Sequence, residues 1–181
     1  MKDKLILYHG SREIVEKPDL LKSKPYNDYG RGFYCTENIE LAREWACMEK
    51  NDGFVNKYEL SSSAMKVLCL SKGKYNILNW LALLLKHRTF SVTAPLTVQA
   101  KEYLLDNFLP EVSGVDVIVG CRADDSYFSF AEDFISNTIS LKQLSKAMHL
   151  GNLGEQVALM SQKAFKLIRF TGSEHVNKNE Y

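Results

Sequence analysis

Apolar residues occur in short runs along this chain, and most runs are bounded by glycine, proline or small polar residues. Short runs rich in β-branched and aromatic residues are typical of strands, whereas apolar residues at every third or fourth position are typical of amphipathic helices. The runs predict strands at residues 4–9, 33–34, 54–60, 65–70, 115–121, 156–160 and 165–170.

Helical spacing predicts helices in the stretches between these strands. Thr36 is the expected N-cap of the first helix, which should run to about residue 50. Ser140 and Gln143 match the capping-box pattern at the start of the last helix. The other predicted helices lie at residues 76–86, 98–108 and 128–135, with a single helical turn near 17–21.

The order of the predicted elements indicates the fold class. Strands and helices do not alternate regularly, as they would in a parallel βαβ sheet, so we expect an α+β fold with mostly antiparallel strands. No internal repeat or linker is evident in the sequence. Residues 1–171 are therefore expected to form one domain, followed by a polar, flexible C-terminal tail at 172–181.

Composition restricts the function classes. The net charge is only +1, so no global field favours nucleic acid or an anionic membrane. The four cysteines form no CxxC pair, and we expect neither a metal site nor a disulfide framework. The apolar run near the start predicts a strand rather than a signal peptide, and no segment approaches the roughly 20 apolar residues of a membrane span. A cytoplasmic protein is the expectation.

Two short motifs carry candidate chemistry. In the first, His9 and Gly10 end a predicted strand, where a ring nitrogen can hydrogen-bond a ligand and the glycine permits close approach to the backbone. A purely structural histidine is the alternative. In the second, Gly30 and Gly32 bracket Arg31 before two aromatic residues, which could stack on a planar ligand. A tight turn before a core strand is the alternative here.

Taken together, these motifs resemble a known family. LYHGSR, then GRGFY, then a helix with an aromatic residue in its third turn are similar to ADP-ribosyltransferases of the diphtheria-toxin and poly-ADP-ribose polymerase class. The likeness extends to a bacterial group of ADP-ribosyltransferase-like domains with NDYGRGFY, RADDSYF and LGEQV motifs, and it runs from residue 7 to about 170. It implies a split antiparallel β-sandwich with flanking helices and NAD, the substrate, in the cleft.

The resemblance also implies roles for individual residues. His9 would hydrogen-bond a ribose hydroxyl of NAD, and the Gly10 backbone would hold the nicotinamide amide. Tyr34 would stack on the nicotinamide ring, with Trp45 as a second stacking aromatic. The family often has a serine that reads the nicotinamide carboxamide near the position of Ala42, and alanine cannot make that contact. The remaining residues that would line the NAD site are Ser11 and Arg12, on the adenosine side, together with Gly32 and Phe33.

The third catalytic position falls on Glu155 or Gln156. If the strand register follows the family, Gln156 takes the position, whereas a slip of one residue exchanges the two. Either side chain can stabilise the positive charge that develops on the ribose, but only glutamate can also accept a proton from the acceptor. A histidine–tyrosine–glutamine site therefore favours transfer of one ADP-ribose unit, or activation of the acceptor by another residue, over polymer growth.

A polar loop offers further candidates. Asp124, Asp125 and Tyr127 could support acceptor binding or activation, although Asp125 could equally cap the next helix. Arg31 and Arg122 could pair with the NAD pyrophosphate.

The resemblance implies a mono-ADP-ribosyltransferase acting on a protein or nucleic-acid acceptor, in the context of a bacterial toxin with a cognate antitoxin protein or of phage defence. An NAD glycohydrolase and a non-catalytic module that binds NAD or ADP-ribose are the alternatives.

Overall fold

The computed structural model describes residues 4–48, 51–61, 64–90, 94–123, 125–150 and 154–180. Its strands form one seven-stranded sheet in the order β4-β5-β6-β2-β1-β3-β7. Neighbouring strands are antiparallel except for β4 and β5, which are parallel. The strands are β1 Lys4–Ser11, β2 Phe33–Thr36, β3 Gly53–Ser61, β4 Val67–Cys69, β5 Val117–Cys121, β6 Glu155–Leu159 and β7 Ile168–Val176. The expected α+β class with mostly antiparallel strands is confirmed.

Six α-helices lie within the described ranges. They are α1 Ile39–Cys47, α2 Ile77–His87, α3 Pro95–Phe108, α4 Asp125–Ile135, α5 Leu141–Leu150 and α6 Gln162–Leu167. A 3-10 turn at Leu20–Lys22 lies close to the predicted helical turn, and a second one follows at Lys178–Glu180. None of the helices in the described ranges has the length and apolar character needed to cross a bilayer.

Both faces of the sheet carry apolar side chains, because successive side chains of a strand point to opposite sides. Each face packs against its own cluster. In β5 and β6, Ile118 and Ala158 pack with the core of α2, α4 and α5, whereas Val157 and Leu159 pack on the other face. Helix α1 lies across β1, β3 and β7, where Ala42 and the end of β7 share a smaller apolar cluster.

The sheet has a narrow seam between β1 and β2. These two strands are registered through one pair, Tyr8 with Thr36. By contrast, β1 pairs with β3 over its whole length, from Lys4 to Ser11, and β2 pairs with β6 at all four of its residues. One hydrogen-bonded sheet is therefore present rather than two separate ones, but its halves, β4-β5-β6-β2 and β1-β3-β7, meet only weakly.

The start of α1 differs from the prediction. Asn38, not Thr36, is the N-cap, since its side-chain oxygen accepts from the backbone N–H of Glu40 at 3.0 Å. The Thr36 hydroxyl instead accepts from the Asn38 N–H at 3.1 Å and donates to the Glu155 carbonyl at 3.1 Å. The helix ends at Cys47, and the predicted residues 49–50 lie outside the described residues.

The C-terminal region also corrects two expectations. Residues 165–167 belong to α6, which Ser161 caps by accepting from the Ala164 N–H at 3.1 Å, so the last strand begins only at Ile168. This strand continues to Val176, paired with Gly53 of β3, so the expected flexible tail does not begin at Gly172. Most side chains of β7 are exposed, so the strand is held mainly by its backbone hydrogen bonds to β3. Because few of these side chains are buried, the sequence has no apolar run that would predict the strand.

Candidate functional site

A cavity of about 970 Å³ opens beside the seam between β1 and β2. Its wall includes residues expected from the sequence: His9, Gly10, Gly32, Phe33, Tyr34, Trp45 and Gln156. These side chains come from strands β1, β2 and β6, from helix α1 and from the turn before β2. The fold thus brings together residues that are up to about 150 positions apart in the chain.

His9 bridges the seam through its side chain. Its ring atom Nδ1 lies 2.7 Å from the main-chain carbonyl oxygen of Tyr34. A carbonyl can only accept, so Nδ1 carries the proton and Nε2 of the neutral ring is left as an acceptor. Burial lowers the pKa of His9 and keeps the ring neutral. The Phe33 ring, 4.5 Å away centroid to centroid, holds the imidazole in place.

The Tyr34 ring is fixed by the glycine turn that precedes it. Its hydroxyl donates to the Gly30 carbonyl at 2.8 Å and accepts from the Tyr29 N–H at 3.0 Å. Gly30 has a φ of 88°, in the left-handed region that favours glycine. Burial raises the pKa of the Tyr34 hydroxyl, so the ring is a neutral, rigid wall of the cavity.

Gly10 is required by helix packing. A Cβ at this position would stand 2.0 Å from the carbonyl oxygen of Ala42 and 2.5 Å from the backbone nitrogen of Ala46. The helix α1 backbone therefore crosses directly over the end of β1. This crossing is what brings Trp45, on the same helix, to the cavity beside His9.

Trp45 has a partner that the sequence did not indicate. The guanidinium carbon of Arg122 lies 5.4 Å from the centre of the indole ring, a cation–π contact. Arg122 also donates to the sulfur of Met48 at 3.6 Å. The indole Nε1 is buried and has no hydrogen-bond partner among the described residues. Stacking of Trp45 on a ligand would therefore use the ring face not covered by Arg122, or displace Arg122.

Gln156 faces the cavity, and Glu155 does not line it. Gln156 is 3% exposed, and its Nε2 donates to Asp28 Oδ2 at 2.9 Å and to the Cys121 carbonyl at 3.2 Å. The side chain of Glu155 accepts from the hydroxyl of Ser71. The register decides this alternation, since Gln156 pairs with Thr36 of β2 and with Gly120 of β5.

Asp28 is a buried carboxylate that sequence reasoning missed. It is 6% exposed, lines the cavity and accepts from Gln156, from the Ala123 N–H at 2.9 Å and from Arg88 at 3.2 Å. Burial raises its carboxyl pKa, and these donors act against that rise. Its position just before the glycine turn was visible in the sequence, but nothing local indicated that it would be buried.

A comparison with protein-family models gives a match that includes all of the cavity residues. The family model described as "Protein of unknown function (DUF3990)" matches residues 5–170. The chain belongs to this family. No match was found among curated proteins. The DUF3990 match runs from β1 into the start of β7 and therefore includes every cavity residue described above.

Three expected residues lie away from the DUF3990 cavity. Ser11 donates to the Glu13 carbonyl at 2.7 Å and accepts from Asn56 at 2.9 Å, and Arg12 does not line the cavity. Arg31 donates to the carbonyls of Leu21 and Ser23 at 3.0 and 2.7 Å and so braces the loop before β2. Asp124 lies outside the described residues. Asp125 and Tyr127 are in the first turn of α4, and their side chains are not described.

The mouth of the DUF3990 cavity is formed by the loop between β1 and β2. Val15 anchors this loop, because its N–H donates to Asn56 at 2.8 Å and its carbonyl accepts from Tyr58 at 2.5 Å. Beyond the anchor, three lysines line the same cavity as Arg88 and Arg122: Lys17, Lys22 and Lys24. The sequence indicated these lysines only as a possible local basic patch before the glycine turn, and Arg88, a single cation at a helix end, was not expected at the site.

Proposed function

We propose that the chain is an NAD-dependent mono-ADP-ribosyltransferase with an ADP-ribosyltransferase-like fold. The observation that carries the proposal is that His9, Tyr34 and Gln156 line one cavity although they lie on three different strands. The resemblance implies that these three residues share one NAD site, and all three lie on the wall of the same cavity. An accidental motif match would not require the three side chains to meet.

The weak seam supports the fold part of the proposal. A split sandwich needs two half-sheets that diverge around a ligand, and β1 and β2 are registered through a single pair, Tyr8 with Thr36. The cavity lies beside this point, where His9 follows Tyr8 on β1 and Tyr34 precedes Thr36 on β2.

The polar atoms support binding of a ribose. In the proposed site, Nε2 of neutral His9 accepts a hydrogen bond from one ribose hydroxyl. Oε1 of Gln156 accepts from the 2′-hydroxyl, because both hydrogens of Nε2 are directed to Asp28 and to Cys121. An acceptor on the 2′-hydroxyl stabilises the positive charge that builds up on the sugar when the glycosidic bond breaks.

The remaining wall suits the other parts of NAD. The fixed ring of Tyr34 offers a flat surface to nicotinamide, and the backbone of Gly10 takes its carboxamide. Arg122 is held by a ring and a sulfur rather than by a carboxylate among the described residues, so its charge is suited to the diphosphate.

The proposed reaction breaks the bond between ribose C1′ and the nicotinamide nitrogen, and the electron pair leaves with nicotinamide. The acceptor nucleophile then forms a bond to C1′ and loses its proton. Gln156 has no titratable group and cannot take that proton, so it passes to solvent or to a base on the acceptor. This chemistry suits one transfer per acceptor site.

The acceptor is proposed to be a protein or a nucleic acid that docks at the cavity mouth, with Asp124, Asp125 and Tyr127 in support. A toxin or defence role in the cytoplasm, with an antitoxin protein as partner, extends the same proposal. Alanine substitution of both aspartates tests the supporting role: it should lower transfer to the acceptor while nicotinamide release continues.

One experiment tests the function. The purified chain is incubated with NAD labelled separately in nicotinamide and in adenylate, with protein extract or RNA as acceptor. Release of nicotinamide together with adenylate label on the acceptor is expected. Release without transfer would identify an NAD glycohydrolase, and binding without release a non-catalytic module. No binding of NAD would overturn the proposal.

A further inference from the structure

We propose that Asp28 is a positioning residue for Gln156. It binds Nε2 of the Gln156 amide, so that Oε1 is the amide atom left to accept from a ligand. It also makes glutamine, rather than glutamate, the side chain suited to position 156. The inference rests on the proposed function for its catalytic meaning. Its structural half, the dependence of residue 156 on Asp28, can be tested without any substrate.

The hydrogen bonds of Gln156 determine which way its amide faces. Asp28 Oδ2, 2.9 Å away, is a carboxylate oxygen, and the Cys121 oxygen, 3.2 Å away, is a backbone carbonyl. Both can only accept, so the atom facing them must be the donor Nε2. A flipped amide would place Oε1 against two acceptors. The orientation therefore follows from the chemistry of the partners.

Asp28 is itself held firmly enough to impose this orientation. Its Oδ2 also accepts from the Ala123 N–H at 2.9 Å, and its Oδ1 faces Arg88 at 3.2 Å. The Arg88 guanidinium in turn rests on the Phe128 ring, 4.9 Å from its centre. All three of these partners, among the described residues, donate to Asp28, so the site is suited to an anion at position 28.

A glutamate at position 156 would meet a like charge. Two carboxylates within hydrogen-bond distance share one proton, and the pair loses that proton at a higher pH than an isolated glutamate does. Among the described residues, five other charged or titratable groups lie near the pair: Arg88 from the end of α2, Arg122 after β5, Tyr29 and Tyr34 from the turn and strand β2, and Cys121 of β5. None of the tyrosines ionises near neutral pH, because burial raises the pKa of both hydroxyls.

The sign of the resulting pH dependence follows from proton linkage. In the Gln156→Glu variant, the folded state holds the shared proton at pH values where the unfolded chain has lost it. Stability therefore falls as pH rises from about 4 to 8. Turnover falls in the same direction, since the protonated pair keeps an acceptor oxygen toward the cavity and the doubly charged pair separates.

The test compares four variants with the wild type: Gln156→Glu, Asp28→Asn, the double variant, and Asp116→Asn. Asp116 is a matched control because it is 7% exposed, bonds to Ser161 and Lys163, and does not line the cavity. The readouts are the midpoint of thermal unfolding between about pH 5 and pH 8, and kcat and KM for nicotinamide release from NAD.

The expected result has two parts. Gln156→Glu should lose thermal stability relative to the wild type as pH rises, and the added Asp28→Asn change should remove that loss. Asp28→Asn alone should lower kcat/KM about tenfold, because asparagine can also donate and no longer selects one amide orientation. Asp116→Asn should lower the unfolding midpoint with kcat unchanged.

Each contrary result has a distinct meaning. Equal pH dependence of stability in the wild type and Gln156→Glu overturns the proposed dependence of residue 156 on Asp28. If Gln156→Glu loses stability as pH rises but Asp28→Asn keeps the full kcat/KM, the positioning role of Asp28 is overturned. A wild type without nicotinamide release, but with the dependence present, overturns the transferase and supports the Asp28–Gln156 pairing.

Discussion

The imidazole of His9 donates a 2.7 Å hydrogen bond to the main-chain carbonyl of Tyr34 and so joins β1 to β2 beyond their single ladder pair. The bond has two consequences. It ties the half-sheets together at the edge of the cavity, and it leaves Nε2 as the acceptor atom of a neutral ring. Structure and proposed chemistry therefore depend on the same side chain.

Replacing His9 by alanine should reduce kcat/KM for nicotinamide release by about 100-fold or more, because the acceptor that orients the ribose is lost. Initial rates at several NAD concentrations measure this, with circular dichroism to verify folding. His175→Ala is a suitable control, since His175 is an exposed residue of β7. A His9→Ala enzyme with near wild-type kcat/KM would remove His9 from the site.

Acid should destabilise the chain partly through His9. Burial lowers its pKa below 6.5, so the unfolded state takes up the proton first as pH falls, and stability is lost from about pH 7 downward. His9→Gln should make urea unfolding less dependent on pH over this range. His87→Gln should remove a separate share, because burial lowers the His87 pKa as well. An unchanged pH dependence in His9→Gln would contradict a buried neutral ring.

Tyr34→Phe and Tyr34→Ala should separate the two roles of Tyr34. Phenylalanine keeps the ring but leaves the Gly30 carbonyl and the Tyr29 N–H without the hydroxyl, at a cost of about 1–2 kcal/mol in unfolding free energy. Its KM for NAD should change little. Alanine should raise KM strongly, since the flat surface is gone. Equal KM values for the two variants would argue against stacking.

Gln156→Ala and Glu155→Ala form a matched pair on one strand. The Gln156 change should lower kcat by about 10- to 100-fold, because the acceptor on the ribose hydroxyl is removed. The Glu155 change should leave kcat unaltered, because its carboxylate contacts Ser71 and does not line the cavity. If Glu155→Ala is the variant that loses activity, the proposed assignment of position 156 is wrong.

Gly10→Ala and Gly53→Ala should both destabilise the fold, by about 1–3 kcal/mol or more, because the added Cβ meets the α1 backbone. For Gly53 the distance to the Ala46 carbonyl oxygen would be 2.2 Å. Only Gly10 lines the cavity, so only Gly10→Ala should also weaken NAD binding measured by calorimetry. Equal NAD affinity in the two variants would show that the Gly10 backbone does not contact the ligand.

The sequence predicted local structure well where the signal was local. The capping box at Ser140 and Gln143 is present, with the Ser140 N–H donating to Gln143 at 2.8 Å. It failed at β7, whose exposed side chains carry no apolar pattern and whose pairing partner is more than a hundred residues away. It also placed the cap of α1 at Thr36, because threonine and asparagine carry similar capping signals two positions apart.

The features of the candidate site likewise fall into those that depend on neighbours along the chain and those that depend on the folded structure. By itself, the sequence determined which strand ends and turns carry histidine, glycine and aromatic residues, because these depend on neighbours along the chain. Only the tertiary structure decided that Gln156 rather than Glu155 faces the cavity, through pairing with β2 and β5. Burial of Asp28 beside Gln156, and the placement of Arg122 on Trp45, also required the folded chain. Register and burial depend on contacts between distant segments, and such contacts leave no mark in the local pattern.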